Sequence, residues 1–354
     1  MIPLLLYAAA AAHLGPMGPE APAREPQMAA NSSMVAMAFG AGNAIYFSSS
    51  RDGGSTFAPP TKVAGAGIVP LSRHRGPRIA LSGRTIVITA VAGSRPQEGA
   101  HAHGLPADGD LLVWRSQDSG TTWSTAKAIN DVPGSASEGL HGLASDGGST
   151  LFAVWLDKRG GKGTRLYSSR SSDGGVTWAA NVQVYESPGG SICECCHPLA
   201  AISPGGEFVA MWRNSLNGCR DLYLATSRDG VNFPAPHKLG NGAWPLNACP
   251  MDGGGLAVSA TRIVTAWRRE GNVFLDEAGR PERQIGTGKD VALALSGERA
   301  YVAWVEGANV DVWIDGKVER LSSAGAFPSL TALPGGGVLA AWEEDGAVQI
   351  RRLR

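Results

Sequence analysis

Charge of one sign is absent: thirty-one Lys and Arg balance thirty-one Asp and Glu. No basic stripe is interleaved with aromatics either, so the electrostatic footprint of a nucleic-acid-binding chain is missing. Charged residues make up only 18% of the 354 and hydrophobic ones 43%, which excludes the composition of a disordered chain. Long amphipathic helical patterns do not occur. Long apolar runs do not occur either: MIPLLLYAAAAA at the N-terminus is too short to span a bilayer, so no membrane span is expected.

That run ends in small residues and has the length of a signal-peptide core, although no Lys or Arg precedes it. Residues 1–12 are expected to act as a signal peptide for export to the periplasm or beyond the cell. Residues 13–24, rich in Pro, Gly and Ala, read as a linker. The folded domain is then expected over 25–354.

Glycine is abundant, with 48 residues and no collagen-type period, and 22 prolines accompany it. That is the supply of turn residues an all-β chain needs. One pattern recurs: a short apolar strand, a Gly or Asp turn, a second strand often ending in Trp, a third rich in Tyr and Ser, and a short fourth. Seven copies begin near Met28, Pro77, Gly142, Pro198, Gly255, Val291 and Ser329, at spacings within or near the range of propeller blades. Trp155, Trp212, Trp267, Trp304 and Trp342 close five of the second strands, as expected for packing between blades. The expected fold is an all-β propeller of four-stranded blades, seven by this count and six as the alternative. The last unit lacks an outermost strand, which a segment before Met28 is expected to supply.

Between third and fourth strands stand SRDGGSTF (Ser50 to Phe57), SQDSGTTW (Ser116 to Trp123) and SSDGGVTW (Ser171 to Trp178), with a shortened SRDGVNF at Ser227 to Phe233. An Asp that accepts backbone N–H bonds, a Gly free to take positive φ and a closing aromatic lock such a turn. With these motifs in phase with the strands, the chain resembles the sialidase-like, Asp-box superfamily over about residues 28 to 354. The resemblance implies that Asp52, Asp118, Asp173 and Asp229 are structural and lie on the face opposite the functional one.

The loops on that opposite face, entering each first strand or joining second to third strands, hold all five cysteines and five of the seven histidines. The cysteines are Cys193, Cys195, Cys196, Cys219 and Cys249; the histidines are His74, His101, His103, His141 and His197. Two readings stay open. In an exported protein cysteines pair as disulfides, and Cys219 and Cys249 flank the CECC segment, within reach of it. Thiolate, imidazole and the Met251 thioether also suit copper or zinc.

The sialidase resemblance implies three arginines gripping a substrate carboxylate, a Tyr nucleophile with a Glu, and an Asp acid/base. Arg78, in Arg78-Ile79-Ala80, stands nearest to the first motif, with Arg213 and Arg268 just after their Trp residues. Carboxylates on this face include Glu138, Asp157, Glu194 and Asp252, enough for acid/base work if two converge. No Tyr falls in these loops: Tyr46, Tyr167, Tyr223 and Tyr301 lie in strands and Tyr185 in a fourth strand. The implied role is that of a monomer acting on or binding a glycan or other small ligand; the alternative is a metal- or redox-linked binding propeller built on the Cys/His face.

Overall fold

A computed structural model describes residues 12–99, 104–277 and 280–353. Every regular element among them is a strand, and the strands form seven antiparallel four-stranded sheets. The inner strands, one per blade, are Arg24–Ala30, Arg78–Ser82, His141–Ser145, Leu199–Ile202, Gly255–Val258, Lys289–Ser296 and Ala326–Ala332. The burial of each strand follows its place in the blade. Second strands such as Val35–Ala41 and Leu151–Asp157 are buried at every position, because neighbouring blades cover both faces, and they read as continuous apolar runs. Third strands alternate, as Asn272–Glu277 does, because they stand nearer the rim. The five second-strand Trp residues are at most 4% exposed, wedged between blades as their spacing predicts.

The ring closes through the N-terminus. Ala12–Leu14 pairs antiparallel with Ala347–Leu353, His13 facing Gln349, and so forms the outer strand of blade 7. The expected donor before Met28 is therefore present, but the reading of 13–24 as a linker is corrected, since this stretch holds part of a strand and the route from it to blade 1. An unpaired sheet edge on blade 7 is the physical reason. The signal peptide expected at the N-terminus lies almost wholly outside the described residues. No helix among the described residues is long and apolar enough to cross a membrane.

The Asp boxes form one hydrogen-bond pattern. Asp52 accepts from the Thr56 N–H at 2.9 Å and the Thr56 hydroxyl at 2.6 Å, while Ser50 Oγ donates to it and accepts from Gly54 N. Asp118 and Asp173 repeat this with Thr122 and Thr177. In the shortened box Asn232 replaces the missing Thr, its amide bonding Asp229 at 2.6 Å. The closing aromatics fill grooves against the preceding blade: Trp123 meets Phe47 edge-on, and Phe233 stacks on Phe152. Blade 5 carries no box. The corresponding groove between blades 4 and 5 is open, a cavity of about 480 Å³ lined by Leu224, His237, Ile263 and Asp276. It lies on the box face, where blade 5 has no closing aromatic to fill it.

Candidate functional site

On the face away from the boxes, the inner strands surround a polar cavity of about 240 Å³ in the central channel. His74, Arg78 and His197 line its mouth, and apolar inner-strand residues such as Leu199 and Leu293 line its depth. His74 is its centrepiece. The Ser72-Arg73-His74-Arg75 turn carries two successive left-handed residues, Arg73 (φ 55°) and His74 (φ 67°), a conformation costly for non-glycine residues.

Three inner strands begin with the same irregularity. In blades 1, 6 and 7 the pairing skips two residues after Arg24, Lys289 and Ala326. The first residue of each bulge, Glu25, Asp290 or Phe327, has φ between 47° and 57°. All three then meet His74. Glu25 accepts its backbone N–H at 2.8 Å, Asp290 bonds its Nε2 at 2.9 Å, and Phe327 packs edge-on against its ring. From the other side the His197 ring stacks on it, centroids 4.3 Å apart. Glu25, Asp290 and Phe327 were missed in the sequence. For Glu25 and Phe327 the usable sign was the x-Pro step that also follows His197, as in Glu25-Pro26, His197-Pro198 and Phe327-Pro328; Asp290, followed by Val291, carries no such sign.

Electrostatics separates the groups. Burial alone would lower the pKa of His74, but the Asp290 hydrogen bond and the charges of Asp290, Glu25 and Asp252 overcome it and hold the imidazole above its ordinary value. Asp290 is held below the usual carboxylate range, its burial outweighed by His74. Burial, with His74 and Arg78 nearby, pushes His197 well down. Asp252 is wholly buried and accepts N–H bonds from Gly254 and Asp290; burial and the Asp290 charge raise it.

The three arginines do not form one fork. Arg78 alone lines the channel cavity, and its guanidinium bonds the carbonyls of His74, Gly76 and Pro77. Arg213, 1% exposed, is spent on the carbonyls of Asp252, Arg220 and Arg268. Arg268 shares the Trp244 ring with Arg213, at 5.3 and 5.1 Å. Both are framework residues of the junction between blades 4 and 5.

Asp157 is likewise saturated. It accepts from Trp155, Ser135 and a two-pronged Arg159 and has no exposed surface. Glu138 pairs with Lys158 at 3.0 Å near Arg75, and Glu194 accepts from Ser191. His141 is fully buried between blades 2 and 3, its Nε2 bonded to Thr89 at 2.9 Å, and burial holds its pKa well below the ordinary value. No Tyr lines the cavity among the described residues. His101 and His103 lie outside the described residues.

The cysteines divide in two. Cys193, Cys195 and Cys196 meet with Met251 packed against them. Cys219 is half-buried and Cys249 exposed, and neither joins that cluster. No sulfur is bonded to another, and Cys219 and Cys249 stand apart from the three thiols of the CECC segment. The two loops meet tightly instead: any side chain on Gly253 would strike the His197 carbonyl.

No family model matches the chain, and no curated protein matches its sequence. Solved structures do. A protein of unknown function from Dyadobacter fermentans aligns over 97% of this chain and 98% of its own, with TM-score 0.57 and 14% identity. The α-L-arabinanase of Penicillium chrysogenum, solved with arabinobiose, aligns over 96% of each chain with TM-score 0.54 and 12% identity. The intramolecular trans-sialidase of Ruminococcus gnavus, solved with oseltamivir carboxylate, aligns over 94% of each with TM-score 0.54 and 12% identity. The fold is sialidase-like. The likeness extends across the whole ring, while the blades of this chain number seven.

Proposed function

We propose that this exported propeller acts on glycans at the mouth of its central channel, with His74 as the proton-transferring group and Asp290 as its positioning partner. The observation that carries the reading is the convergence of three strained bulges on one histidine that faces a polar cavity. Strain of this kind persists only where the surroundings enforce it, and it gathers at functional sites. A histidine whose pKa is raised by a carboxylate partner is suited to donate a proton to a glycosidic oxygen. Arg78, beside it, is suited to anionic or hydroxyl-rich ligands. The glycan itself is suggested by the arabinobiose bound to one solved structure of like fold and by the names of an arabinanase and a trans-sialidase among them, and export by the apolar N-terminal run.

This chemistry departs from that of sialidases, because among the described residues no Tyr lines the cavity and the arginines are dispersed. The test is a panel of sialosides, arabinans and uronic-acid polysaccharides, assayed for new reducing ends and for binding. His74→Gln should reduce turnover by about 10²–10⁴-fold while leaving the fold intact. An activity indifferent to His74→Gln would overturn the assignment, as would failure of every glycan to be bound or cleaved.

A further inference from the structure

The three thiols of the CECC segment lie on one turn between blades 3 and 4, beside the channel but outside the acid/base cluster. Cys193 Sγ stands 3.6 Å from Cys195 Sγ and 3.5 Å from Cys196 Sγ, and all three sulfurs lie within 4.8 Å of one another. They are 2%, 6% and 1% exposed. The turn is fixed by backbone bonds, Ile192 N to the Thr164 carbonyl at 3.0 Å and Cys193 N to the Arg213 carbonyl at 3.1 Å. Met251, from the loop before blade 5 and itself at φ 57°, lays its side chain on the cluster.

We propose that this cluster is a binding site for one Cu(I) ion, held by the thiolates of Cys193, Cys195 and Cys196 and covered by the Met251 thioether. The sulfurs are too far apart for a disulfide, whose bond is about 2.05 Å. An ion with metal–sulfur bonds of about 2.3 Å would set three sulfurs about 4 Å apart, against 3.6 and 3.5 Å for the two pairs made by Cys193 and at most 4.8 Å for the third.

The donor set chooses the metal. Thiolate and thioether are soft ligands that select Cu(I), zinc or iron–sulfur clusters. Structural zinc sites complete a tetrahedron of thiolate, imidazole or carboxylate, and among the described residues no imidazole or carboxylate joins this group. An iron–sulfur cluster takes four cysteines, and Cys219 and Cys249 stand outside. Three sulfurs under a thioether, shielded from water, match a monovalent soft ion. Binding releases the three thiol protons to solvent and changes no oxidation state. The resulting negative charge is countered by nearby guanidinium groups, Arg213 acting on Cys193 and Cys196 and Arg75 on Cys195.

The experiment is an anaerobic titration of the full chain with Cu(I), competed against a chromogenic Cu(I) chelator. The expected result is one equivalent retained, with near-ultraviolet sulfur-to-copper absorption and an all-sulfur shell in X-ray absorption. Cys195→Ser and Cys196→Ser should each abolish retention, Cys249→Ser and Cys219→Ser should leave it unchanged, and Met251→Leu, which keeps the volume, should weaken it by about tenfold. Circular dichroism of each variant separates loss of site from loss of fold. Retention that survives Cys195→Ser in a folded protein would overturn the proposal. So would Zn(II) held in preference to Cu(I), or mass mapping that finds two of the three sulfurs bonded to each other in protein kept under reductant. None of these readouts involves a glycan, so the two proposals fail independently.

Discussion

His74 Nε2 and Asp290 Oδ1 are 2.9 Å apart across 216 residues of sequence, and this pair sets the protonation of the channel mouth. Removing the carboxylate in Asp290→Asn takes away the largest causes that raise the His74 pKa, leaving burial to lower it against only the charges of Glu25 and Asp252. If protonated His74 is the donor, turnover is lost as pH rises through its pKa. The alkaline limb of the pH–rate profile should therefore move to lower pH in Asp290→Asn. The same pair should stabilise the fold most below the unfolded imidazole pKa of about 6.5. NMR titration of His74 in both proteins checks the direction, and an unmoved limb would detach Asp290 from the mechanism.

Glu343 gives a second pH dependence, of opposite sign to that of the box aspartates. Its burial and the neighbouring Glu25 carboxylate push its pKa to about 7, against bonds from Glu25 N–H and Arg24. Arg24 is 46% exposed, so its opposition is screened. A native state that binds the proton more tightly than the unfolded chain loses stability as pH rises between the two pKa values. Stability should fall from about pH 4.5 to about pH 7, by on the order of 2–3 kcal/mol. Glu343→Gln should flatten that slope in thermal melts across this range.

In the boxes the signs reverse. Hydrogen bonds from Thr56, Ser50 and the Thr56 N–H lower the pKa of Asp52 to about 2. Its stabilisation is complete above the unfolded value of about 4 and is lost as pH falls toward 2. Asp52→Ala should cost about 1 kcal/mol, discounted for exposure, and should leave glycan turnover and Cu(I) retention unchanged.

The boxes, the Trp periodicity and the missing seventh-blade strand were legible because each is a local pattern repeated in phase: a turn locks itself, and a Trp marks its own strand. Nothing local identified Asp290, Glu25 or Phe327, since their role depends on bulges at three inner strands that only ring closure brings together. The arginines misled for a related reason. Arg213 and Arg268 stand at equivalent strand exits by sequence, yet the Trp244 loop takes up both. Cys219 and Cys249 looked like partners of the CECC segment because their loops are neighbours, but neighbouring loops do not fix where a side chain goes.

Closure by the N-terminal strand predicts a sensitivity far from the site. Leu14 is 6% exposed and packs in the cluster with Val348 and Ile350. Leu14→Ala should lower stability by about 2–3 kcal/mol. Its effect on turnover at temperatures where the protein stays folded should be small. Chemical denaturation measures the first and initial rates the second; a loss of rate without a loss of stability would show that blade 7 communicates with the channel.

The dispersal of the arginines predicts what the channel rejects. A sialic-acid glycoside needs its carboxylate gripped by converging cations and its anomeric carbon attacked by a nucleophile. Here Arg78 faces the cavity without Arg213 or Arg268, and no Tyr lines it among the described residues. A simple sialoside should therefore not be turned over. Arg213→Ala should mainly destabilise, because it leaves the carbonyls of Asp252, Arg220 and Arg268 without their buried partner. Arg78→Ala should weaken glycan affinity at the channel mouth and also destabilise the entry loop, because it frees the carbonyls of His74, Gly76 and Pro77. Clear sialoside hydrolysis abolished by Arg78→Ala would restore the sialidase reading, with a nucleophile other than Tyr.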